Sequence, residues 1–278
     1  MEKLKTRILL PEAATLKHLY SEGGHAGKQI QFFTGSAPYN VNRLSTVHPV
    51  LVGHSYFTDA GDSGRVNIRR HLRDTIAAYK TRFWQSEYSM LGTGYKENRK
   101  GKIPAIDCAL FLAKMIHTDL TVADAAAWQL WNAYEPGNAD FDTRYYLIAL
   151  QANDSNTRGS FTVTKNLWAM GHFSRFIRPG MTRLIIDRDD HLSDEQSSDD
   201  VMCSAYSDGK GKTVIVLINY TMDQKQVSFN LAGSNKIRSK KSYTTTSGHD
   251  VNMKPGIVHD LSDMSLSPRS INTIVLER

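Results

Sequence analysis

Only four strand-and-helix units fit ahead of Pro179-Gly180, and behind that dipeptide the chain reads as short β-branched runs alone. Apolar spacing sets the first part. Residues 6–10 read as a strand closed by Pro11-Glu12, and residues 50–56, 82–87 and 126–131 as three more. Val66, Ile68, Leu72, Ile76 and Ala77 mark an amphipathic helix over 66–79. Ile106, Leu110, Phe111 and Met115 mark another over 104–117, with Pro104 suited to its first turn. A third helix over 164–177 stops at Pro179-Gly180. A closed (β/α)8 barrel needs eight such units and about 250 residues for itself. The first part therefore predicts a smaller open α/β sheet or half of a barrel.

Beyond Gly180 the runs fall at 183–186, 201–207, 213–220, 226–231, 242–246 and 270–276, separated by turn signals such as Ser207-Asp208-Gly209-Lys210-Gly211. This predicts an antiparallel sandwich or small barrel. The expected division is residues 1–180 and residues 181–278.

Bulk properties exclude more than they assign. A chain of 278 residues makes one large domain or two smaller ones. No apolar run is long enough to span a membrane. The N-terminus shows no basic region followed by an apolar core, so no signal peptide is expected. Cys108 and Cys203 lie in different predicted elements and form neither a disulfide framework nor a metal spacing. The net charge of +6 is scattered, with small clusters at Lys96, Arg99, Lys100 and Lys102 and at Lys236, Arg238, Lys240 and Lys241. Neither cluster alternates with aromatics, so no nucleic-acid partner is expected. Asn153-Asp154-Ser155 and Asn219-Tyr220-Thr221 match the short glycan sequon. There is no P-loop, no dinucleotide fingerprint and no Cys/His constellation, hence no expected cofactor or metal. His172, Arg175 and Arg178 share the third helix, where packing against the β-rich part is the expected role.

Chemistry concentrates in Phe83-Trp84-Gln85-Ser86-Glu87-Tyr88-Ser89-Met90-Leu91-Gly92. One carboxylate closes an aromatic-rich strand. Such a group is costly unless paired or used, and barrel enzymes carry their catalytic groups at C-terminal strand ends. The alternative is a glutamate that closes the strand and salt-bridges a loop. Strict alternation would put Phe83 and Gln85 on the side of Glu87, with Trp84 and Ser86 opposite.

That segment, Gly53-His54-Ser55-Tyr56, Ala127-Trp128-Gln129-Leu130-Trp131, the Asn166 to Gly180 helix and the Ser267 to Val275 strand together resemble glycoside hydrolase family 30, in its endo-β-1,6-galactanase-like bacterial branch. The resemblance covers nearly the whole chain. It implies a (β/α)8 barrel with an attached β-sandwich, of which this chain supplies the C-terminal half of the barrel, strands five to eight. It also implies a retaining O-glycosyl hydrolase with two glutamates, which stand about 5–5.5 Å apart in such enzymes. Glu87 matches the nucleophile. The acid/base, in an Asn-Glu-Pro context after strand four, would fall before Met1. The family acts outside the cell or in the periplasm on β-linked oligo- or polysaccharide.

On that template His54 is placed to hydrogen-bond a sugar hydroxyl, with an interior structural histidine as the alternative. Tyr56 is placed to donate to Glu87 and keep it ionised. Gln129 and Trp131 share a face at the end of the fourth strand, and Trp131 suits a sugar-stacking platform, with an ordinary core tryptophan as the alternative. Tyr134-Glu135-Pro136 mimics Asn-Glu-Pro after the wrong strand, so Tyr134 and Glu135 are expected in a loop at a distal subsite or in solvent. Glu12 ends the first strand and could line the cleft. A half-barrel would expose two strand edges, so a missing N-terminal half or self-association is expected. The competing function is a non-catalytic carbohydrate-binding or interaction protein that keeps the cleft without the acid.

Overall fold

A computed structural model describes residues 5–278 except 22, 25, 36, 37, 39, 42, 43 and 232–236. Lys236 of the second basic cluster therefore lies outside the described residues. The chain is α/β with several sheets and forms two compact units: residues 1–98 with 118–132, and residues 99–117 with 133–278.

The first unit is built on three parallel strands, β1 (Ile8–Ala13), β2 (Val47–His54) and β3 (Phe83–Glu87), in chain order. Two short helices, α1 (Leu16–Tyr20) and α2 (Gln29–Thr34), link β1 to β2. The longer α3 (Asp62–Ala78) links β2 to β3. It starts four residues before the expected 66–79, with Asp62 in its first turn paired to Arg65. Its buried residues Arg65, Val66, Arg69, Leu72 and Ile76 recur at helical spacing on one face. Leu72 and Ile76 join Leu16, Leu19, Ile30, Leu51 and Phe83 in a continuous apolar core between helices and sheet.

Residues 126–131 were expected as a full strand. Ala126 N donates to Phe83 O, Gln85 N to Ala127 O and Gln129 N to Gln85 O, which is a parallel ladder on β3. It is a single bridge at Trp128, not a six-residue strand. Past the end of β3 at Glu87 the pairing continues only as one bond, from Trp131 N to Tyr88 O.

α4 (Ala105–Thr121) extends the expected 104–117 by one turn. In the second unit, β4 (Tyr134–Pro136), β5 (Ile148–Ala152) and β6 (Gly159–Val163) make a small sheet that the sequence did not announce. Tyr134-Glu135-Pro136 is thus a strand paired in parallel with Ile148–Leu150, not a loop. The expectation failed because β4 has only three residues, too few for a period, and its partner lies a dozen residues downstream.

Helix α5 (Lys165–Ser174) begins at Thr164, whose side chain accepts from Asn166 N. Then follow β7 (Thr182–Leu184), α6 (Asp194–Ser197), β8 (Val201–Ser207), β9 (Lys212–Asn219), β10 (Lys225–Val227), β11 (Ser239–Thr245), β12 (Lys254–Ile257), β13 (Met264–Leu266) and β14 (Ser270–Glu277). A six-stranded antiparallel sheet has the order β12-β11-β14-β9-β8-β7, and β10 pairs with β13. One face of the large sheet, with Ile215, Leu217, Ile274 and Leu276, packs on Leu266, Leu261 and Val258, with Val227 and Met264 against them. The alternate residues face α5, where His172 is fully buried between Thr273 and Thr245. This packing groups residues 133–180 with the β-rich part, so the compact units divide the chain differently from a cut at Gly180.

Arg175 lies over the ring of Tyr243 on the same sheet. Asn219 is buried, donating to Asp223 O and Ser267 O, so its sequon is not presented to solvent. Both cysteines are free thiols, and burial pushes Cys108 up to about 11. Among the described residues no helix is long and apolar enough to cross a membrane.

Candidate active site

Neighbouring parallel strands bring their C-terminal ends together, and here those ends carry Glu12, His54 and Glu87. Tyr56, two residues past the end of β2, donates its hydroxyl to Glu87 Oε1 at 2.9 Å. His54 stands between two carboxyl groups: Nδ1 is 3.6 Å from Glu87 Oε1 and Nε2 is 3.0 Å from Glu12 Oε2. Ser86 Oγ donates to the same Glu12 oxygen at 2.7 Å. The rings of His54 and Tyr56 meet edge-on at 5.5 Å.

Burial first, then the hydrogen bond to Glu87 and its charge, raise the Tyr56 phenol well above its ordinary value. The hydroxyl therefore stays protonated and remains a donor to the carboxylate.

Two register shifts explain the cluster. Pro11 pairs with Val52 and Ala13 with Gly53, so Glu12 is an extra residue in β1. Gly53 pairs with Gln85 and His54 with Glu87, so Ser86 is an extra residue in β3. A bulge re-aims the side chain it carries. Glu12 also has φ of 59°, in the left-handed region. The alternation expected from sequence fails accordingly. Phe83 packs among helix residues such as Leu72 and Ile76, and Ser86 joins Glu12 instead of the opposite face. Trp84, opposite Phe83, sits 5.1 Å from the ring of His48.

Behind the cluster lies a fully buried ion pair that sequence reasoning missed. Arg69 Nε bonds Asp119 Oδ1 at 2.6 Å. Asp119 Oδ2 accepts from Ser55 Oγ at 3.0 Å and from Trp128 Nε1 at 2.8 Å. Ser55 sits between His54 and Tyr56, so this pair anchors the end of β2 and the segment running beside β3. The one available signal was two arginines, Arg65 and Arg69, at helical spacing among the apolar positions of 66–79. A second anchor is Tyr88, buried and bonded to Asp59 Oδ2 at 2.9 Å.

The remaining candidates are placed as follows. Gln129 is exposed; its backbone N–H donates to Gln85 Oε1 at 3.0 Å. Trp131 is 53% exposed and its N–H donates to Tyr88 O. Tyr134 and Glu135 lie in the second unit, in β4. His54, Tyr56, Glu87, Gln129 and Trp131 all belong to the first.

The sequence model of O-glycosyl hydrolase family 30 matches residues 1–145. Among solved structures, a conserved exported protein from Bacteroides fragilis is 29% identical, with a TM-score of 0.85, over 98% of this chain and 56% of that one. A glycoside hydrolase family 30 subfamily 8 xylanase from Clostridium acetobutylicum is 22% identical, TM-score 0.63, over 98% of this chain and 56% of that one. A family 30 endoxylanase from Clostridium papyrosolvens is 21% identical, TM-score 0.64, over 99% and 57%. The two xylanases speak for the fold alone. This chain spans little more than half the length of each.

Proposed function

This chain belongs to O-glycosyl hydrolase family 30, and we propose that it carries the nucleophile side of a retaining glycosidase site, with Glu87 attacking the anomeric carbon. The observation that supports this best is the aim of Glu87: it ends a parallel strand, accepts from Tyr56 at 2.9 Å and faces His54. A donor on one carboxylate oxygen fixes the direction of the group. In a retaining mechanism such a carboxylate forms a glycosyl ester, which water then hydrolyses with help from a second carboxyl group.

In this reading β1, β2, β3 and residues 126–131 are barrel strands five to eight, followed by the β-sandwich. A strand outside residues 1–278 supplies the acid/base, and a complementing N-terminal half, or a second copy, covers the strand edges. Trp131 offers an apolar face to a pyranose, and His54 and Gln129 offer polar contacts to its hydroxyls. The substrate is a β-linked polysaccharide, with β-1,6-galactan first among candidates on the motifs around Glu87. The related Bacteroides fragilis protein is described as exported, and an extracellular or periplasmic location is proposed here as well.

The test is Glu87→Gln in the longest form of the protein that hydrolyses a β-linked oligosaccharide. Turnover should nearly vanish while the oligosaccharide still binds, and an activated fluoro-sugar should label Glu87 in the parent. Near-normal turnover in the variant would remove Glu87 from the chemistry. Binding with no hydrolysis in any form would favour a carbohydrate-binding protein.

A further inference from the structure

The catalytic reading uses Glu87, Tyr56 and His54 and gives no role to Glu12 or Ser86. Yet these two are the extra residues of the two register shifts, one on each side of β2, and their side chains meet 2.7 Å apart beside His54. Two bulges and a left-handed backbone at a non-glycine residue each cost stability. Here all three serve one result: a carboxyl group placed against His54 Nε2.

We propose that Glu12 is a positioning residue that fixes the His54 tautomer with its hydrogen on Nε2, so that Nδ1 presents a lone pair beside Glu87 to a hydroxyl of the bound sugar. The inference rests on reading the site as one that binds a glycoside.

A carboxylate oxygen only accepts. Glu12 Oε2 takes one hydrogen from Ser86 Oγ, so the hydrogen on its 3.0 Å contact with His54 comes from Nε2. A neutral imidazole has one N–H, and Nδ1 is then an acceptor. It faces Glu87 Oε1 across 3.6 Å, too far for a direct bond, and that oxygen already accepts from Tyr56. Two acceptors side by side at the nucleophile suit a donor from outside the protein. A sugar hydroxyl next to the reacting carbon supplies one. The other tautomer would turn a donor toward Glu87 and leave Nε2 lone pair against Glu12 lone pair.

The 278-residue chain itself can be tested by nitrogen-15 spectroscopy of its imidazoles in mildly alkaline buffer, with the His54 signals identified by their loss in His54→Gln. The Nε2–H tautomer is expected in the parent chain and in Ser86→Ala. Glu12→Leu should yield a mixture and, in the longest form of the protein that binds the sugar, weaken binding of a β-1,6-linked galacto-oligosaccharide about fivefold, the factor of one ordinary hydrogen bond. An Nδ1–H tautomer in the parent chain overturns the proposal before any variant is made. So does an unchanged tautomer in a folded Glu12→Leu. If the tautomer is as expected but no form of the protein, the longest included, binds an oligosaccharide, the sugar-hydroxyl role falls together with the glycoside-site reading, and the Glu12–His54 couple stands.

Discussion

Tyr56 donates to Glu87 Oε1 over 2.9 Å, and nothing else among the described residues bonds that oxygen at so short a distance. A hydrogen bond to an ionised group contributes about 1.5–3 kcal/mol. Tyr56→Phe should therefore cost the active form of the enzyme roughly 10- to 100-fold in kcat/KM by that same range. The phenyl ring fills the same space, so the urea midpoint of the chain should fall by no more than the loss of that one hydrogen bond. Steady-state kinetics beside an unfolding curve checks both halves.

Asp119 is buried with three donors around it, from Arg69, Ser55 and Trp128. Asp119→Ala leaves the Arg69 guanidinium inside the protein without its counter-charge. Breaking a buried pair in this way costs about 3–5 kcal/mol, to be read from urea unfolding of the chain. Replacing the whole pair by apolar residues, Arg69→Met with Asp119→Leu, should cost much less than the single change, since no buried charge is left behind. A double variant as unstable as Asp119→Ala would mean that the Ser55 and Trp128 bonds, not the charges, dominate.

The strands and long helices were legible because each carries several turns or alternations of apolar residues: 201–207 and α4 are cases where period and length agree. Elements of three to six residues, such as α1, β4 and β13, hold too little pattern to be read alone. Glu87 was legible as a strand-end carboxylate, and Tyr56 by its spacing from His54. The partnership of Glu12 with Ser86 was not, because one inserted residue reverses the face of every side chain after it and sequence spacing does not show an insertion. Arg69 and Asp119 were hidden for another reason. Each looks like a surface residue until its partner, fifty positions away, is known.

Gly94 lies against the Asp59 side chain that receives the Tyr88 hydroxyl. A Cβ there would come within 2.9 Å of Asp59 Oδ1 and 3.1 Å of the Asp59 backbone carbon. Backbone cannot swing aside as a flexible side-chain tip does. Gly94→Ala should therefore destabilise by about 1–3 kcal/mol, the usual cost of forcing atoms into a packed site. Gly64→Ala is the control, since outside its own stretch of helix backbone nothing lies within 4 Å of its added Cβ. Melting temperatures of the two variants make the comparison.

His172 is buried as a neutral ring, held by Thr273 Oγ1 and Thr245 Oγ1 at 2.8 Å each. Burial pushes its pKa down to about 3, whereas an unfolded chain titrates near about 6.5. Above that upper value neither state holds the proton and the packed ring contributes fully. As pH falls from about 6.5 toward the folded value, the unfolded chain takes up the proton first, so stability is lost by up to about 1.4 kcal/mol per pH unit. His172→Gln keeps a polar side chain at the site and cannot titrate. The difference in unfolding free energy between parent and variant should shrink steadily as pH falls through that window, because carboxylate titrations common to both cancel. Urea unfolding at several pH values measures it. A difference that stays flat with pH would show that His172 takes up its proton in the folded protein as readily as in the unfolded one.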